Sequence, residues 1–458
     1  MSSRADVAPG DAPGGWWRHL AALMTRDTSV VVATVVALNL LRVVSSVILT
    51  RLLAPEVFGV VGIIGSVAFV LAMISDLGFQ AFVVRHRDGD DPRFLDVVWT
   101  IRLLRAAALT AALALLAGPI AGALDKPALA GLIAVSAAFF LLEGLSSLSL
   151  VTALRTGALL RLSVMELGVA VVQLAAAVVL AAVWRDAWSM VAATLVAGAA
   201  KLWLSYAVFP GSRRRWQFDR LWAAELWAFA RFVTGSSIIS MTLIQADKVV
   251  LARLLPLDAL GLYILAGNLA LAPLAFTSAY ASRVLYPLYA RVWRERPEDL
   301  PGVFYAARRR ASALYMVGAG GLIGVAPLLV GILYDDRYAG AATYLRLLAV
   351  TPLFALAAAA ANEALTASGR VRATFRASLV KLSWLAVAAP VGFLWAGPIG
   401  LVAAVGATEA AGATYGWFAL HRIGLLRPDE ELLLLGAGAT GIALGWLANA
   451  KLGAALGV

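Results

Sequence analysis

Four polar side chains recur along the first long apolar stretch of the chain. They are Asn39, Arg42, Ser46 and Thr50. On a helix with 100° per residue, these positions fall within an arc of about 80°. An arginine at the centre of a membrane helix costs about 2.5–3.5 kcal/mol, so the stripe is expected to face a polar, ligand-binding cavity. The alternative is that Arg42 extends to the membrane surface, although it lies about 12 Å from the predicted helix end.

Further candidate residues in the later apolar stretches fall into two groups. Candidate substrate contacts, with Asn39, Arg42 and Ser46, are Lys248, Asn268 and Asn362. Candidates for coupling or gating are Asp76, Glu143, Lys201, Asp247, Arg283 and Glu409. Ionisable groups within membrane helices are costly, so they mark either transport sites or ion pairs.

Several of these charged residues also have a purely structural interpretation. Asp247 and Lys248 can form an ion pair near the outer end of their helix. Glu143 lies near the cytoplasmic end of its helix and can neutralise neighbouring arginines. Lys201 can extend its ammonium group to the membrane surface. For each of these residues both interpretations stay open.

Three of the six coupling or gating candidates have a more specific assignment. Asp76 and Arg283 lie where two helices reach the cytoplasm at equivalent places in the sequence, and they form either an inner gate or part of a basic collar. Glu409 lies well inside its apolar stretch without an obvious partner there. It is therefore the best candidate for a protonatable coupling group.

The sequence offers no arrangement for catalysis, metal binding or nucleotide hydrolysis. It has no cysteine, its three histidines share no ligand spacing, and no nucleophile lies beside a base. The G-x-G-x-x-G run at 436–441 lies inside an apolar stretch with no preceding strand. We therefore expect neither an enzyme nor a cofactor. The pairs Gly320/Gly324 and Gly441/Gly445 are instead predicted to be close-packing helix faces.

Length and composition indicate an integral membrane protein. Of 458 residues, 62% are hydrophobic and 14% are charged, and the mean hydropathy is +0.85. A crossing helix needs about 20 apolar residues. Thirteen such stretches lie near 29–50, 57–76, 106–124, 128–150, 162–183, 187–209, 232–251, 259–281, 311–333, 343–366, 377–396, 398–420 and 432–450. The last of them is a further crossing, a re-entrant hairpin or an interfacial helix.

The distribution of Lys and Arg predicts which side each loop faces. With the amino terminus inside, 28 of the 38 Lys and Arg residues lie on the cytoplasmic side. Seven lie on the opposite side, and they are Arg51, Lys126, Arg185, Arg253, Arg337, Arg346 and Lys451. The amino terminus is therefore predicted to be cytoplasmic, without a cleaved leader. The net charge of +11 reflects anionic lipid rather than nucleic acid.

The chain contains an internal repeat. The pattern L-x-R-L-L-x-x-[ED]-x-x-G occurs at 49–59 and again at 251–261, an offset of 202, and an echo pairs 190–193 with 401–404 at an offset of 211. Two six-helix halves of the same orientation follow, related by a pseudo-twofold axis along the membrane normal. The predicted segments are a cytoplasmic 1–28, lobes 29–209 and 232–420, a linker 210–231 and an extra helix in 421–458.

Residues 29–420 resemble the polysaccharide flippase family, which includes O-antigen flippases and belongs to the multidrug/oligosaccharidyl-lipid/polysaccharide exporter superfamily. The motifs that carry the resemblance are Thr50–Gly59, Asp247-Lys248 with Arg253-Leu254-Leu255 and Gly261-Leu262-Tyr263, Tyr286-Pro287, Arg337–Ala341 with Leu345–Leu348, and Ala187–Val191. The resemblance implies a two-lobed, all-helical transporter in the inner membrane.

The resemblance also implies a substrate, an undecaprenyl-pyrophosphate-linked oligosaccharide moved from the inner to the outer face for polysaccharide or lipopolysaccharide biosynthesis. Arg42 then binds the pyrophosphate in a cavity between the halves, because a guanidinium is a planar, permanently charged donor. A polymerase and glycosyltransferases of the same pathway are the implied protein partners. The alternatives are a drug/cation antiporter, which needs a carboxylate in the amino-terminal cavity, and a multispan enzyme acting on polyprenyl lipids.

The predicted topology can be tested by thiol labelling of this cysteine-free chain. Segments 85–105, 210–231 and 283–310 hold 17 of the inner positive charges. Cysteines placed at Asp88 and Arg296 should therefore be shielded from impermeant thiol reagents in intact cells, whereas one at Asp336 should react. Reversed labelling would contradict the orientation.

Overall fold

The computed structural model describes the chain over residues 26–156, 158–209 and 214–456, without the side chains of 26–32, 232, 233, 236 and 454–456. Regular structure in these ranges is helical. The α-helices are α1 (Arg26–Leu52), α2 (Pro55–Ile74), α3 (Phe79–Arg85), α4 (Pro92–Ala123), α5 (Ala130–Ser136), α6 (Ala138–Leu145), α7 (Ser149–Thr156), α8 (Leu159–Trp184), α9 (Ala187–Ala207), α10 (Arg220–Leu254), α11 (Leu257–Ala270), α12 (Leu274–Tyr280), α13 (Tyr286–Glu295), α14 (Leu300–Leu333), α15 (Ala341–Leu348), α16 (Val350–Ala367), α17 (Val371–Gly406), α18 (Thr408–His421) and α19 (Pro428–Leu456). Short 3₁₀ turns occupy Pro127–Leu129, Pro297–Asp299 and Asp336–Tyr338, and a π-helical segment occupies Ala281–Leu285.

Eleven helical segments of the described ranges are long and apolar enough to cross a membrane. One of them, Val371–His421, has 51 residues and breaks where Ala396 and Gly397 leave the helical region, Gly397 at φ 60°. Pro398 follows the break, and because proline lacks an N–H it weakens the helical ladder there. This segment therefore provides two crossings. With α10, whose 35 residues are long enough for another, the helices account for the thirteen predicted crossings.

The fourth crossing ends earlier than the sequence predicts. The predicted stretch runs to residue 150, but α6 ends at Leu145 and α7 is a separate short helix. Between them the buried Ser147 donates its amide N–H to Ser205 Oγ at 3.0 Å and its hydroxyl to Ser149 Oγ at 2.9 Å. Serine hydroxyls compete with helical backbone bonds, which explains the early end.

The predicted linker 210–231 is partly helical. α10 begins at Arg220, where Asp219 accepts hydrogen bonds from the amides of Leu221 and Trp222 and caps the helix. Trp222 then packs edge-on against Phe94 of the amino-terminal half, with ring centroids 5.6 Å apart. The start of α10 is thus held by the amino-terminal half, although most of the helix belongs to the second repeat.

α2 and α11 cross at the two repeat glycines. A Cβ at Gly59 would lie 2.1 Å from the Leu257 carbonyl oxygen, and a Cβ at Gly261 would lie 1.9 Å from that of Pro55. Both Gly59/Gly261 and Pro55/Leu257 are separated by the repeat offset of 202 residues. Each half therefore makes the same contact on the other, which is the reciprocity that a twofold axis produces.

α19 is a full-length helix that packs in parallel on α14 through glycine faces. A Cβ at Gly320 would lie 2.1 Å from the Gly438 carbonyl oxygen, and one at Gly441 would lie 2.2 Å from that of Val317. Further along, Asn449 accepts the amide N–H of Leu328 at 3.0 Å, next to the in-helix Pro327. The predicted close-packing glycine faces are confirmed. Of the three possibilities for the thirteenth stretch, the structure has a crossing-length helix.

A buried polar cluster joins the starts of these two helices. Arg308, 1% exposed, pairs with Glu431, which also accepts the Tyr305 hydroxyl at 3.0 Å. The Tyr305 oxygen in turn accepts the amide N–H of Arg427 at 3.0 Å. Because removing one member would leave a buried charge unpaired, the cluster fixes the register of α19 on α14.

The glycine interface predicts a position-dependent effect of a single methyl group. Gly441→Ala places a Cβ against the α14 backbone and should destabilise the protein by about 1–3 kcal/mol, because overpacking forces backbone shifts. Gly436→Ala, on the same helix but with nothing within 4 Å, should leave the thermal midpoint in detergent unchanged or slightly raised. Equal midpoints for the two variants would contradict the close packing.

Candidate functional site

A cavity of about 700 Å³ lies within the amino-terminal half. Its walls come from α1, α8 and α9, with contributions from α3, α4, α6 and α7. Its polar lining residues are Arg42, Ser45, Gln80, Arg102, Glu143, Glu166, Gln173, Thr194 and Lys201. The volume falls in the range of small-molecule sites. The sequence placed the Arg42 cavity between the halves, whereas the cavity that Arg42 lines is enclosed by residues 38–201.

Arg42 carries an uncompensated charge on the wall of this cavity. It lies on the α1 face that also presents Leu38, Leu41, Ser45 and Leu49 to the cavity, and it is exposed. Its guanidinium has no hydrogen bond or ion pair with any residue in the part of the chain that the structure describes. All its donors are therefore available to a ligand.

The other residues of the predicted polar stripe do not join Arg42 at the cavity. Asn39 is exposed and donates its side-chain amide to the Val35 carbonyl at 2.8 Å. Ser46 shares a hydrogen bond of 2.9 Å with the Tyr334 hydroxyl, from the other half. The stripe is thus divided between two adjacent helix faces, because Arg42 lies at its edge, about 60° from Asn39.

Lys201 of α9 and Glu143 of α6 form an ion pair on the cavity wall. Lys201 Nζ lies 2.9 Å from Glu143 Oε1, with 31% and 44% of the side chains exposed. Arg102 donates to the backbone carbonyl oxygens of Glu143 and Ser146, at 2.5 and 3.5 Å. Lys201 therefore points to a carboxylate rather than to the membrane surface, and the structure brings Arg42, Glu143 and Lys201 to one cavity.

The sequence reasoning missed Glu166 and Gln173, which line the same cavity from α8. Glu166 is exposed and makes no ion pair or hydrogen bond with a residue of the described ranges, although Lys201 is close enough to interact electrostatically. The two residues are seven apart, two helical turns, and so share one face. That spacing, in a helix whose other polar residues are confined to its start, was the signal that could have found them.

Asp76 and Arg283 are not paired with each other. Asp76 accepts the Ser237 hydroxyl and the Gly78 amide, each at 2.9 Å, and its carbonyl accepts the Thr234 hydroxyl at 2.6 Å. Arg283 is exposed in the π-helical segment. Asp76 thus connects the end of α2 to α10, and a role of the two residues in gating stays a prediction.

The remaining candidate contacts lie outside the cavity lining. Asp247 is buried and accepts the Tyr263 hydroxyl, and Lys248 approaches it at 3.4 Å while donating to the Ile244 carbonyl at 2.7 Å. This pairing agrees with the ion-pair interpretation. Asn268, at the end of α11, is exposed, and Asn362, in α16, is half-buried.

Glu409 has a partner that the sequence did not reveal. Lys381 Nζ from α17 lies 2.7 Å from both Glu409 carboxylate oxygens. The side chains are only 16% and 23% exposed. As predicted, Glu409 has no partner within its own stretch, because the partner comes from the preceding helix. A role of Glu409 in coupling stays a prediction.

Sequence comparison assigns the chain to a family. A family model described as polysaccharide biosynthesis protein matches residues 48–343, more than half of the chain. The chain belongs to this family. The predicted family resemblance is confirmed.

Two curated relatives agree with this assignment. The succinoglycan biosynthesis transport protein ExoT of Rhizobium meliloti is 26% identical over 298 residues, which cover 64% of this chain and 56% of ExoT. The lipopolysaccharide biosynthesis protein WzxC of Escherichia coli is 24% identical over 373 residues, 81% of this chain and 75% of WzxC. The match thus extends over only about half of ExoT.

Solved structures share the fold. The lipid II flippase MurJ, in an inward closed conformation, has a TM-score of 0.71 at 12% identity over 92% of this chain and 93% of that chain. A multidrug resistance transporter of the MATE family, facing inward, has a TM-score of 0.62 at 12% identity. The match covers 84% of this chain and 95% of that chain. The predicted all-helical, two-lobed membrane fold is confirmed.

The Lys381–Glu409 pair predicts a stability effect that a second substitution reverses. Lys381→Met leaves Glu409 without a partner and should lower the thermal midpoint. The loss in free energy of unfolding should be smaller than the roughly 3–5 kcal/mol of a fully buried pair. Lys381→Met/Glu409→Gln should recover most of the loss. If Glu409 is also a coupling group, the restabilised Lys381→Met/Glu409→Gln variant should still fail to transport.

Proposed function

We propose that the protein is a flippase that moves polyprenyl-pyrophosphate-linked oligosaccharides across the inner membrane, from the cytoplasmic to the outer face, by alternating access. Family membership supports a place in polysaccharide or lipopolysaccharide biosynthesis. The transport name of ExoT supports transport rather than catalysis. Enzymes of the same pathway, a polymerase and glycosyltransferases, are the proposed partners.

The observation that carries the proposal is the unpaired Arg42 on the cavity wall. A guanidinium in a low-dielectric site attracts an anion and can donate two parallel hydrogen bonds to phosphate oxygens. The charged residues that line the cavity are Arg42, Arg102, Lys201, Glu143 and Glu166, a net charge of +1. Because Lys201 and Glu143 neutralise each other, the Arg42 guanidinium is the free positive group for a pyrophosphate.

The amide side chains suit the glycan. Gln80 and Gln173 line the same cavity, and each offers donors and an acceptor for sugar hydroxyls. The polyprenyl tail remains in the lipid. Because the predicted contacts Asn39, Ser46, Lys248, Asn268 and Asn362 lie outside the cavity lining, we propose that they meet the glycan on its path rather than the pyrophosphate.

A drug/cation antiporter is the second candidate, because the cavity does contain a carboxylate without a partner. Glu166 supplies the group that proton-for-cation exchange requires. The two candidates make opposite demands, since an anionic substrate needs Arg42 and a cationic one needs Glu166.

Flipping by purified protein in liposomes tests the proposal. A polyprenyl-pyrophosphate-linked oligosaccharide is placed in both leaflets, and its exposure to an impermeant enzyme or lectin is followed. Arg42→Gln should abolish flipping and complementation of a flippase-null strain at normal membrane abundance, because it removes the charge. Arg42→Lys should retain part of the activity, because it keeps the charge but loses the two-pronged geometry.

Glu166→Gln is the matched variant on α8, in the lining of the same cavity. It should leave glycan flipping largely intact, whereas an antiporter would lose cation efflux with this variant and retain it with Arg42→Gln. Full flipping by Arg42→Gln would eliminate the phosphate role of Arg42. Cation-driven proton release by the unsubstituted protein, without glycan flipping, would establish the antiporter instead.

A further inference from the structure

Two loops cross from one half of the protein to the other at the same end of the bundle. One joins α4 to α5 and contains Asp125 and Lys126. The other joins α14 to α15 and contains Asp335 and Arg337. Each loop contacts the carboxyl-terminal end of the first helix of the opposite half.

The first contact, here the Lys126 clasp (Asp125, Lys126, Ala252 and Arg253), joins the α4–α5 loop to α10. Lys126 Nζ donates to the Ala252 carbonyl oxygen at 2.7 Å. Arg253 returns the contact, with Nη2 at 3.0 Å from Asp125 Oδ2 and a hydrogen bond to the Ala123 carbonyl. The loop and the helix end are therefore joined by bonds in both directions.

The second contact, here the Arg337 clasp (Thr50, Asp335 and Arg337), joins the α14–α15 loop to α1. Arg337 Nη2 donates to the Thr50 carbonyl oxygen at 3.1 Å and lies 2.6 Å from Asp335 Oδ2. Hydrogen bonds from Arg337 hold the pKa of the Asp335 carboxyl below its usual value, and the charge of Arg51 adds to this effect. Beside the clasp, the buried Tyr338 donates to the Leu53 carbonyl at 2.7 Å.

The two clasps are one contact made twice. Thr50 and Ala252, whose carbonyls accept the bonds, are 202 residues apart, and Lys126 and Arg337, which donate them, are 211 apart. These are the two offsets of the internal repeat. The clasps therefore stand on either side of the pseudo-twofold axis that passes between Gly59 and Gly261.

The chemistry of each clasp suits a reversible closure. Carbonyls in the last turn of a helix lack intrahelical partners and carry partial negative charge, so a lysine or arginine there satisfies both the hydrogen bond and the helix dipole. When the clasp opens, water can replace the cation at each carbonyl. The cost of opening is therefore moderate rather than prohibitive.

We propose that the Lys126 and Arg337 clasps are the outer gate of the transporter and must both open before the glycan can leave. The inference rests on the proposed function and orientation, which place the carboxyl-terminal ends of α1 and α10 at the outer face. The clasps hold the halves together around the glycine crossing, so the structure is the state closed on that face. Loss of one clasp therefore weakens the closure, and loss of both releases it.

A cysteine between the halves reports opening without any substrate. Ser66→Cys, buried where α2 meets Gln245 of the other half, is the reporter in this cysteine-free chain. In right-side-out vesicles, Lys126→Met/Arg337→Met should raise the rate of labelling by an impermeant maleimide at least about fivefold. Each single variant should have a smaller effect. Lys126→Arg/Arg337→Lys should remain slow because both cations persist.

Lys451→Met is the matched control, because it removes an exposed cation at the same predicted face that belongs to neither clasp. It should label at the background rate. The outer-gate proposal is wrong if the folded double variant is labelled at the background rate. It is also wrong if labelling accelerates equally from both faces of the membrane. If the double variant fails to fold, each single variant must itself accelerate labelling for the proposal to stand.

The outcome is separable from that of the proposed function. If the double variant is labelled faster but the unsubstituted protein does not flip the glycan, the gate is supported and the proposed substrate is wrong. Acceleration seen only in inside-out vesicles places the clasps at the cytoplasmic face. That result would overturn them as an outer gate.

Discussion

The closed arrangement of the two halves depends on a backbone contact at one point. α2 and α11 cross at Gly59 and Gly261, where each helix brings a carbonyl into the space that a side chain of the other would occupy. In a bilayer, helix association gains little from the hydrophobic effect and relies on close packing and polar contacts. Gly59 and Gly261 come from the same repeated sequence motif and lie on either side of the pseudo-twofold axis. One motif therefore provides close packing from each half onto the other. The flanking clasps then add charge-assisted bonds to a contact that packing alone has positioned.

The second constraint is that charges within the membrane need partners. Lys201 is paired with Glu143 and Lys381 with Glu409, each across two helices. Pairing avoids the cost of an isolated charge in the membrane, and it leaves neither charge free to bind a ligand. Arg42 is different, because its guanidinium faces the cavity without a partner in the described part of the chain. Under the proposed function, an anion in the cavity offsets the cost of this charge.

The sequence predicted the crossings, the repeat and the glycine faces because each is encoded along one stretch of chain. The L-x-R-L-L pattern located Gly59 and Gly261 before their contact was known. The partner of Glu409 could not be predicted, because it depends on how α17 packs on α18. The position of the cavity was missed for a related reason. In the sequence Glu166 is a single acidic residue near a helix end, and only the fold places it in the same cavity as Arg42.

The halves share a backbone pattern but differ in where they carry charge. Lys201 and Gly412 correspond at the repeat offset of 211 residues. A Cβ at Gly412 would lie 2.3 Å from Lys381 Cε, so the glycine makes room for a lysine from α17. In the carboxyl-terminal half the ammonium group therefore lies between two packed helices, whereas the Lys201 ammonium lines an open cavity. Under the proposed function, ligand contact therefore falls to the amino-terminal half, which holds the open charged cavity, whereas α19 packs against the carboxyl-terminal half.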